Sequence, residues 1–282
     1  MDILNFLREP LTYTFIQRGL LALILVGAVS GVVGCFIVVR GMSFFGEALS
    51  HTILPGVALS YIVAGGALGS NLFVGGLAAG VLSALGIAWL TREQRLKEDT
   101  AIAIVFVSMF ALGVAIISTQ GSYSVDLTHI LFGSILGVSA ADLQVMGLLG
   151  AGVLLVIFRL YKQLVVMSFD LSLAYTLKLR VEFLRSLLLV LIAVTIVTSL
   201  QVVGTALMLA LLVAPAATAQ LMVKRFHNML FLSACIGVVS GVVGFYLSYY
   251  LNIPPGATIV LTMSGVFTVV FITAQVRQAV AA

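Results

Sequence analysis

Glu47 and His51 are the two residues whose types and spacing best suit chemistry. They lie four residues apart in the stretch GMSFFGEALSHTILPG (41–56), inside a long apolar segment. On an α-helix, residues at i and i+4 share one face, with Cβ atoms about 5–6 Å apart. A carboxylate oxygen and an imidazole nitrogen at that separation can both reach one divalent cation. Mixed oxygen and nitrogen ligation suits Zn²⁺, Fe²⁺ or Mn²⁺ better than Ca²⁺, so the pair is a candidate metal site.

The residues alone leave two other interpretations of the pair open. Glu47 can hydrogen-bond His51 or Arg40 as a structural contact, or the pair can relay protons. An ionisable residue at the bilayer centre costs about 2.5–3.5 kcal/mol on insertion scales, so such residues usually face a cavity and serve a function. Pro55 follows four residues after His51 and removes a backbone hydrogen bond. It thereby frees a carbonyl near Ser50 or His51 as a further oxygen ligand.

Pro215 falls in a second apolar run, LMLALLVAPAATA (207–219). We predict that Pro55 and Pro215 each interrupt a membrane helix. On the predicted topology these two helices run in opposite directions, and paired interrupted helices of opposite orientation are typical of inverted repeats around a transport site. The alternative is chance, because apolar helices resemble one another.

The composition places both prolines in a membrane protein. The chain of 282 residues is 62% hydrophobic and 9% charged, with a mean hydropathy of +1.24, whereas soluble domains are about 25% charged. Runs of roughly 20 apolar residues are long enough to span a bilayer as helices. We predict nine spans, near 19–39, 46–65, 70–90, 101–119, 141–158, 186–201, 203–222, 229–250 and 256–276, with the 186–222 run cut at Gln201. Residues 1–18 form an amphipathic lead-in, and residues 1–282 form a single transmembrane domain.

The basic residues set the predicted orientation. With the N-terminus outside and the C-terminus in the cytoplasm, 12 of the 14 basic residues fall in cytoplasmic loops, which leaves Arg8 and Arg18 outside. This matches the positive-inside bias of membrane proteins. A net charge of +4 therefore reports topology, and nothing indicates a nucleic-acid partner. The polar segment 162–185 is then cytoplasmic, whereas 122–139, with Asp126 and His129, lies outside as an interfacial helix. Asp126 and His129 could receive an incoming metal, although a solvated polar face is the simpler interpretation.

Three stretches, quoted in order along the chain, resemble the permease subunits of manganese, zinc and iron ABC importers, the ABC-3 family. They are RGMSFFGEALSHTILPGVALSY (40–61), VGTALMLALLVAPAATAQ (203–220) and NIPPGATIV (252–260). The resemblance implies an all-α polytopic membrane bundle of eight or nine transmembrane helices, similar to the permease of the vitamin B12-type importer. It also implies that Glu47 and His51 are the acid and the histidine of the intramembrane metal site.

The same resemblance implies the partners. The permease is a homodimer in the bacterial inner membrane, surrounded by lipid, and an extracytoplasmic binding protein delivers Mn²⁺, Zn²⁺ or Fe²⁺. ATP is bound and hydrolysed on a separate cytoplasmic ATPase subunit, so the chain itself is not an enzyme and needs no intrinsic cofactor. Consistent with this, the sequence contains no GxxxxGK[ST] loop.

The segment SFDLSLAYTLKL (168–179) resembles the family's coupling helix, which docks into a groove of the ATPase. The resemblance assigns this contact to the residues Ser168, Phe169, Asp170, Leu171, Ala174 and Leu177. A second segment, ILFGSILGVS (130–139), resembles the extracellular segment near the gate.

Two other functions fit parts of the sequence. A proton- or ion-coupled secondary transporter could use Glu47 and His51 as a relay and would need no ATPase. An ABC importer of metal chelates such as siderophores would keep the ATPase and change the substrate. The sequence does not choose among Mn²⁺, Zn²⁺ and Fe²⁺.

Overall fold

Twelve α-helices make up most of the chain in the computed structural model, which describes residues 9–64, 70–92, 96–119 and 135–281. Short 3₁₀ turns occur at Pro10–Thr12 and Ile135–Gly137, and the described ranges contain no strand. The helices are α1 (Thr14–Val39), α2 (Phe44–Thr52), α3 (Leu54–Val63), α4 (Ser70–Leu90), α5 (Glu98–Ser118), α6 (Ala140–Arg159), α7 (Tyr161–Phe169), α8 (Leu171–Thr176), α9 (Val181–Val203), α10 (Thr205–Met222), α11 (Phe226–Leu251) and α12 (Pro255–Ala281).

Eight of these helices are long and apolar enough to cross a membrane. They are α1, α4, α5, α6, α9, α10, α11 and α12. Each begins and ends within five residues of a predicted span. The all-α, multi-span membrane fold is therefore confirmed within the described ranges.

The predicted span at 46–65 is not one helix but two short ones, α2 and α3, which meet at Ile53. Pro55 lies in the first turn of α3, where its missing N–H would have no helical partner in any case. The predicted span is thus interrupted beside Pro55, and the break falls at Ile53, in the turn before the proline, where the proline ring and its missing N–H disfavour a continuous helix. Pro55 begins the second helix.

Pro215 behaves differently, because α10 continues through it from Thr205 to Met222. The predicted helix break at Pro215 is therefore wrong. A proline inside a membrane helix is tolerated where neighbouring groups satisfy the backbone around it, and Pro215 is buried. The two prolines thus occupy unlike positions, which removes the pairing on which the inverted-repeat interpretation relied.

Two further boundaries differ from the predictions. The lead-in predicted at 1–18 is already helical from Thr14. The early start places the apolar side chain of Ile16 in a buried position. The long apolar run 186–222 divides at Gly204 rather than at Gln201. Gly204 has a φ of +77°, a left-handed conformation that glycine adopts without steric cost.

The helices fall into two compact units, each made from separate parts of the chain. One unit contains α1, the first part of α6, and α10, α11 and α12. In it, α1 approaches α10 so closely that a Cβ on Gly34 would clash with the carbonyl oxygen of Leu212. Small residues at such contacts are the usual means of packing helices in lipid.

The other unit contains α2 to α5, the end of α6, and α7, α8 and α9. Its α3 and α4 are in backbone contact, because a Cβ on Gly56 would clash with the carbonyl oxygen of Gly75. A buried apolar cluster joins α3 and α4 to α9, and its members are Ile53, Val57, Leu72, Val197 and Leu200. This packing holds the α2–α3 pair, and with it the candidate site, against long helices.

Candidate functional site

Glu47 and His51 lie on one face of α2, as the i and i+4 spacing predicts. The distance between Glu47 Oε1 and His51 Nε2 is 3.1 Å. The side chain of Glu47 is 39% exposed and that of His51 is 27% exposed. The two groups therefore contact each other, and each side chain is partly exposed in the single chain.

Helix α2 is held by local hydrogen bonds as well as by packing. Ser50 Oγ donates to the carbonyl oxygen of Glu47 at 2.7 Å, and Thr52 Oγ1 donates to the carbonyl oxygen of Leu49 at 3.0 Å. Hydroxyls commonly satisfy backbone carbonyls in this way near helix ends in membranes. Phe45, Ala48 and Leu49 are buried, so the opposite face of the helix anchors it and leaves Glu47 and His51 on the open side.

Aromatic rings of α5 surround the imidazole of His51. The ring centroids of Phe106 and Phe110 are each 5.9 Å from that of His51, and Phe110 meets it edge-on at 86°. Phe44 on α2 packs against Phe106 at 6.1 Å. These rings restrict the rotation of the imidazole and give it an apolar surrounding on one side.

Arg40 contacts Glu98 and not Glu47. Its Nη2 atom forms an ion pair with Glu98 Oε1 at the start of α5, and Arg185 Nη1 donates to the carbonyl oxygen of Thr91 at 2.8 Å. The alternative in which Glu47 serves as the structural partner of Arg40 is therefore wrong, because Glu98 holds that place. Within the described residues, the carboxylate of Glu47 is paired with His51.

The segment predicted as 162–185 forms α7 and the short helix α8, after which α9 already begins at Val181. The side-chain Oδ1 of Asp170 accepts the N–H of Leu173 at 2.9 Å and so caps α8. At the other end, the N–H groups of Lys178 and Leu179 donate to the carbonyls of Tyr175 and Ala174. With Lys178 at a φ of +53°, this is a Schellman motif.

Of the residues that the resemblance implied for this segment, Phe169, Asp170 and Leu177 are exposed. Ala174 is fully buried and the hydroxyl of Ser168 is buried as well, so neither adds to the exposed surface of the segment. Four apolar or aromatic side chains are exposed and form what we term the coupling surface. Its members are Phe169, Leu173, Tyr175 and Leu177.

A comparison with known families decides what this arrangement belongs to. The model described as ABC 3 transport family matches residues 12–274. The chain belongs to the ABC 3 transport family. The resemblance drawn from the three quoted stretches is thereby confirmed.

Relatives and solved structures agree with this family. The manganese import system permease protein ScaB of Streptococcus gordonii is 43% identical over 276 residues, which is 98% of this chain and 97% of that protein. The solved structure of PsaBC from Streptococcus pneumoniae in complex with Fab is 41% identical, with a TM-score of 0.80 over 96% of this chain and 95% of that one.

A more distant solved structure extends the agreement to the fold alone. It is described as an inward-facing conformation of a proposed metal-chelate type ABC transporter, and it is 18% identical with a TM-score of 0.74. The match covers 95% of this chain and 89% of that one. The predicted ABC permease architecture is therefore confirmed, while a likeness at this identity does not extend to the substrate.

The described residues contain no group of three or more His, Cys, Asp or Glu side chains that could hold a metal ion. The candidate site in one chain therefore consists of two side chains, Glu47 and His51. The predicted entry residues Asp126 and His129 lie outside the described residues, as does most of the segment 122–139. Their role stays a prediction.

Sequence reasoning missed the surroundings of the site. Phe106 and Phe110 are spaced four residues apart on α5, so the sequence places them on one face of that helix. That spacing does not indicate that the face contacts His51. The contact of Arg40 with Glu98 joins residues 58 positions apart, and no local sequence pattern predicts it. Leu173 and Tyr175 were missed because the exposed face of α8 depends on how the helix is packed.

Proposed function

We propose that this chain is the transmembrane permease subunit of an ATP-driven importer of divalent transition-metal ions. The observation that supports the proposal most directly is the contact of Glu47 with His51 at 3.1 Å on the open side of α2. An acid and an imidazole in an apolar chain of the ABC 3 transport family form a ligand pair suited to Mn²⁺, Zn²⁺ or Fe²⁺.

Two ligands suit a transport site better than a storage site. A site on a conduction pathway must bind its ion weakly enough to release it. Glu47 and His51 hold the ion briefly, and water or the same pair in a second copy of the chain completes its coordination. The permease therefore acts as a homodimer, with the ion passing between the two copies.

Manganese is the substrate that we propose first. The relative ScaB is named as a manganese import permease, and both of the ligand types that this chain offers are acceptable to Mn²⁺. Carboxylate oxygen is the ligand that Mn²⁺ favours, and the imidazole of His51 adds the nitrogen that would distinguish the site from a calcium site.

ATP is bound and hydrolysed by a separate cytoplasmic subunit that docks on the coupling surface. Phe169, Leu173, Tyr175 and Leu177 expose apolar area at the end of a segment rich in basic residues, and exposed apolar patches commonly mark protein contacts. Asp170 contributes by capping α8 and thereby fixing the helix that carries the surface. ATP binding then moves the helices through α7 and α8.

The remaining partners follow from the direction of import. We propose that the chain lies in the bacterial inner membrane with its N-terminus outside and its C-terminus in the cytoplasm. An extracytoplasmic binding protein delivers the metal to the outer side. The chain requires no cofactor of its own, and the metal is its substrate.

Reconstitution tests this function. The chain is co-purified with its ATPase subunit, incorporated into liposomes, and supplied with radioactive Mn²⁺ on the side of the binding protein. Uptake that requires ATP on the ATPase side, and that unlabelled Zn²⁺ or Fe²⁺ competes for, is the expected result. Equal uptake by the chain alone under a proton or ion gradient would instead support a secondary transporter and contradict the proposal.

A further inference from the structure

A cleft of about 600 Å³ lies beside the coupling segment and away from Glu47 and His51. Its lining comes from α7, α8, the starts of α5 and α9, and the residues at the ends of α1 and α4. All the lining residues belong to one compact unit. Polar side chains line its inner part, namely Arg40, Lys97, Glu98, Ser168, Asp170 and Arg185. This volume lies within the range of about 300–1,000 Å³ that is usual for small-ligand sites.

Three buried donor atoms belong to residues that line this cleft and have no acceptor among the described residues. They are Arg40 Nη1, Arg185 Nε and Ser168 Oγ. The arginine side chains are only 8% and 5% exposed, and Arg185 Nε lies 3.8 Å from Glu98 Oε1, beyond hydrogen-bonding distance. A buried donor without a partner is costly, so three beside one cleft favour an acceptor that the described residues do not supply.

The charges of the cleft give the sign of that acceptor. Arg40 and Arg185 share the single carboxylate of Glu98, and Lys97 adds a third positive charge. Asp170 offers the second carboxylate, but its Oδ1 is engaged by the N–H of Leu173. Burial lowers the pKa of the Arg40 guanidinium, and the carboxylate of Glu98 opposes this effect.

We propose that this cleft binds the phosphate group of an anionic phospholipid headgroup. A guanidinium fork matches phosphate oxygens in geometry and charge, and it can only donate hydrogen bonds. Exposed apolar side chains, Phe169 and Leu96, border the same cleft and can contact the glycerol and acyl part of a lipid. Basic pockets at the cytoplasmic side of membrane helices bind anionic headgroups in this way, and the cytoplasmic placement rests on the orientation proposed above.

The bound phosphate would join the segments on which ATP-driven motion depends. Ser168 lies at the end of α7, Arg185 lies in the first turns of α9, and Arg40 lies between α1 and α2. A lipid held by all three would fix the base of the coupling surface. Anionic lipid would thus regulate the coupling segment without contacting the metal pair.

Lipid binding to the purified full-length chain tests the proposal without metal or ATPase. Native mass spectrometry compares retention of dioleoylphosphatidylglycerol with that of dioleoylphosphatidylcholine. Wild type should prefer phosphatidylglycerol. Ser168→Ala removes one neutral donor without changing any charge, and Arg40→Lys keeps the charge but loses the planar guanidinium fork. Each should weaken phosphatidylglycerol binding by about tenfold, whereas Arg159→Gln, an exposed arginine outside the cleft, should match wild type.

Three results would overturn the proposal. They are an absence of preference for phosphatidylglycerol in wild type, a wild-type preference retained in both Ser168→Ala and Arg40→Lys, and an equal loss in Arg159→Gln. Inorganic phosphate is added as a separate probe. If phosphate binds with a dependence on Ser168 and Arg40 while phosphatidylglycerol shows none, the ligand is a soluble anion and not a lipid. A failure of metal transport would leave these lipid measurements unchanged.

Discussion

At the scale of single residues, the contact of Glu47 with His51 is the feature on which the proposed ligation rests. Their contact at 3.1 Å leaves both side chains partly exposed, and Arg40 has its own partner in Glu98. A carboxylate placed in a membrane helix without a cation is costly. A transported cation between the two groups would offset that cost during passage.

Glu47→Gln and His51→Ala should each lower ATP-driven Mn²⁺ uptake by more than about tenfold, because each removes one of two ligands to a charged ion. Uptake is measured in liposomes that contain the permease and its ATPase. His227→Ala and Glu182→Gln serve as matched controls, since they change the same residue types at helix ends remote from α2 in sequence. Uptake at the wild-type level in both site variants would refute the assignment.

The pair itself could be predicted from sequence, because i and i+4 spacing on a helix fixes a shared face whatever the tertiary structure. Its surroundings could not. Phe106 and Phe110 reach His51 from α5, and Glu98 reaches Arg40 across 58 positions of sequence. Contacts of this kind depend on how helices pack, which one sequence does not encode in any local pattern.

At the scale of helices, close backbone contact between α3 and α4 holds the α2–α3 pair in place. A Cβ on Gly75 would collide with the Ser60 side chain and with the carbonyl oxygen of Gly56. Gly75→Ala should therefore destabilise the protein by about 1–3 kcal/mol, as overpacking usually does. A lowered thermal unfolding midpoint of the purified chain in detergent measures the effect.

Gly152→Ala in α6 is the control for that substitution, because a Cβ at Gly152 meets no atom within 4 Å. Replacing glycine inside a helix at an open position is neutral or stabilises by up to about 1 kcal/mol. If Gly75→Ala melts at or above the temperature of Gly152→Ala, the close approach of α3 and α4 is not a requirement of the fold.

The second prediction at the scale of helices concerns the proposed ATPase contact of the coupling surface on α7 and α8. Leu173 is exposed and apolar, so Leu173→Asp should place a charge in the proposed ATPase contact and reduce co-purification of the ATPase by more than about tenfold. Lys162→Asp introduces the same side chain at an exposed position of α7 and should retain the ATPase. Full retention by the Leu173→Asp variant would place the contact elsewhere.

Most helix positions were predictable, because an apolar run of about 20 residues has the length that a helix needs to span a bilayer. The errors have specific causes. Pro215 was expected to break its helix, yet α10 continues through it. The division of the run 186–222 was expected at the polar Gln201, whereas backbone conformation places it at Gly204.

At the scale of the whole molecule, the number of membrane crossings decides which side each terminus occupies. Eight described helices are long enough to cross, and the α2–α3 pair would make a ninth crossing if its two short helices traverse the membrane together. An odd number puts the termini on opposite sides, as the distribution of basic residues favours.

Reporter fusions measure this directly. A fluorescent protein fused to the C-terminus should fluoresce, since it folds in the cytoplasm, and alkaline phosphatase fused there should be inactive. Alkaline phosphatase fused at the N-terminus should be active. Termini on the same side would mean an even number of crossings and would show that the α2–α3 pair does not traverse the membrane.

The division of the chain into two units of interleaved segments could not be predicted from sequence. Residues near the N-terminus in α1 join α10, α11 and α12, whereas α2 to α5 join α7, α8 and α9. Hydropathy reports that a helix is buried in lipid or protein, but it does not report which neighbour it meets. The helix content was therefore predictable and its assembly was not.

Metal ligation by His51 is tested most directly by electron spin echo measurements on Mn²⁺ bound to the purified full-length chain. Nitrogen coupling from a coordinated imidazole should appear in wild type and in His227→Ala. It should disappear in His51→Ala, and the Mn²⁺ affinity of Glu47→Gln should fall. Nitrogen coupling that persists unchanged in His51→Ala would contradict the assignment of His51 as a ligand of the transported ion.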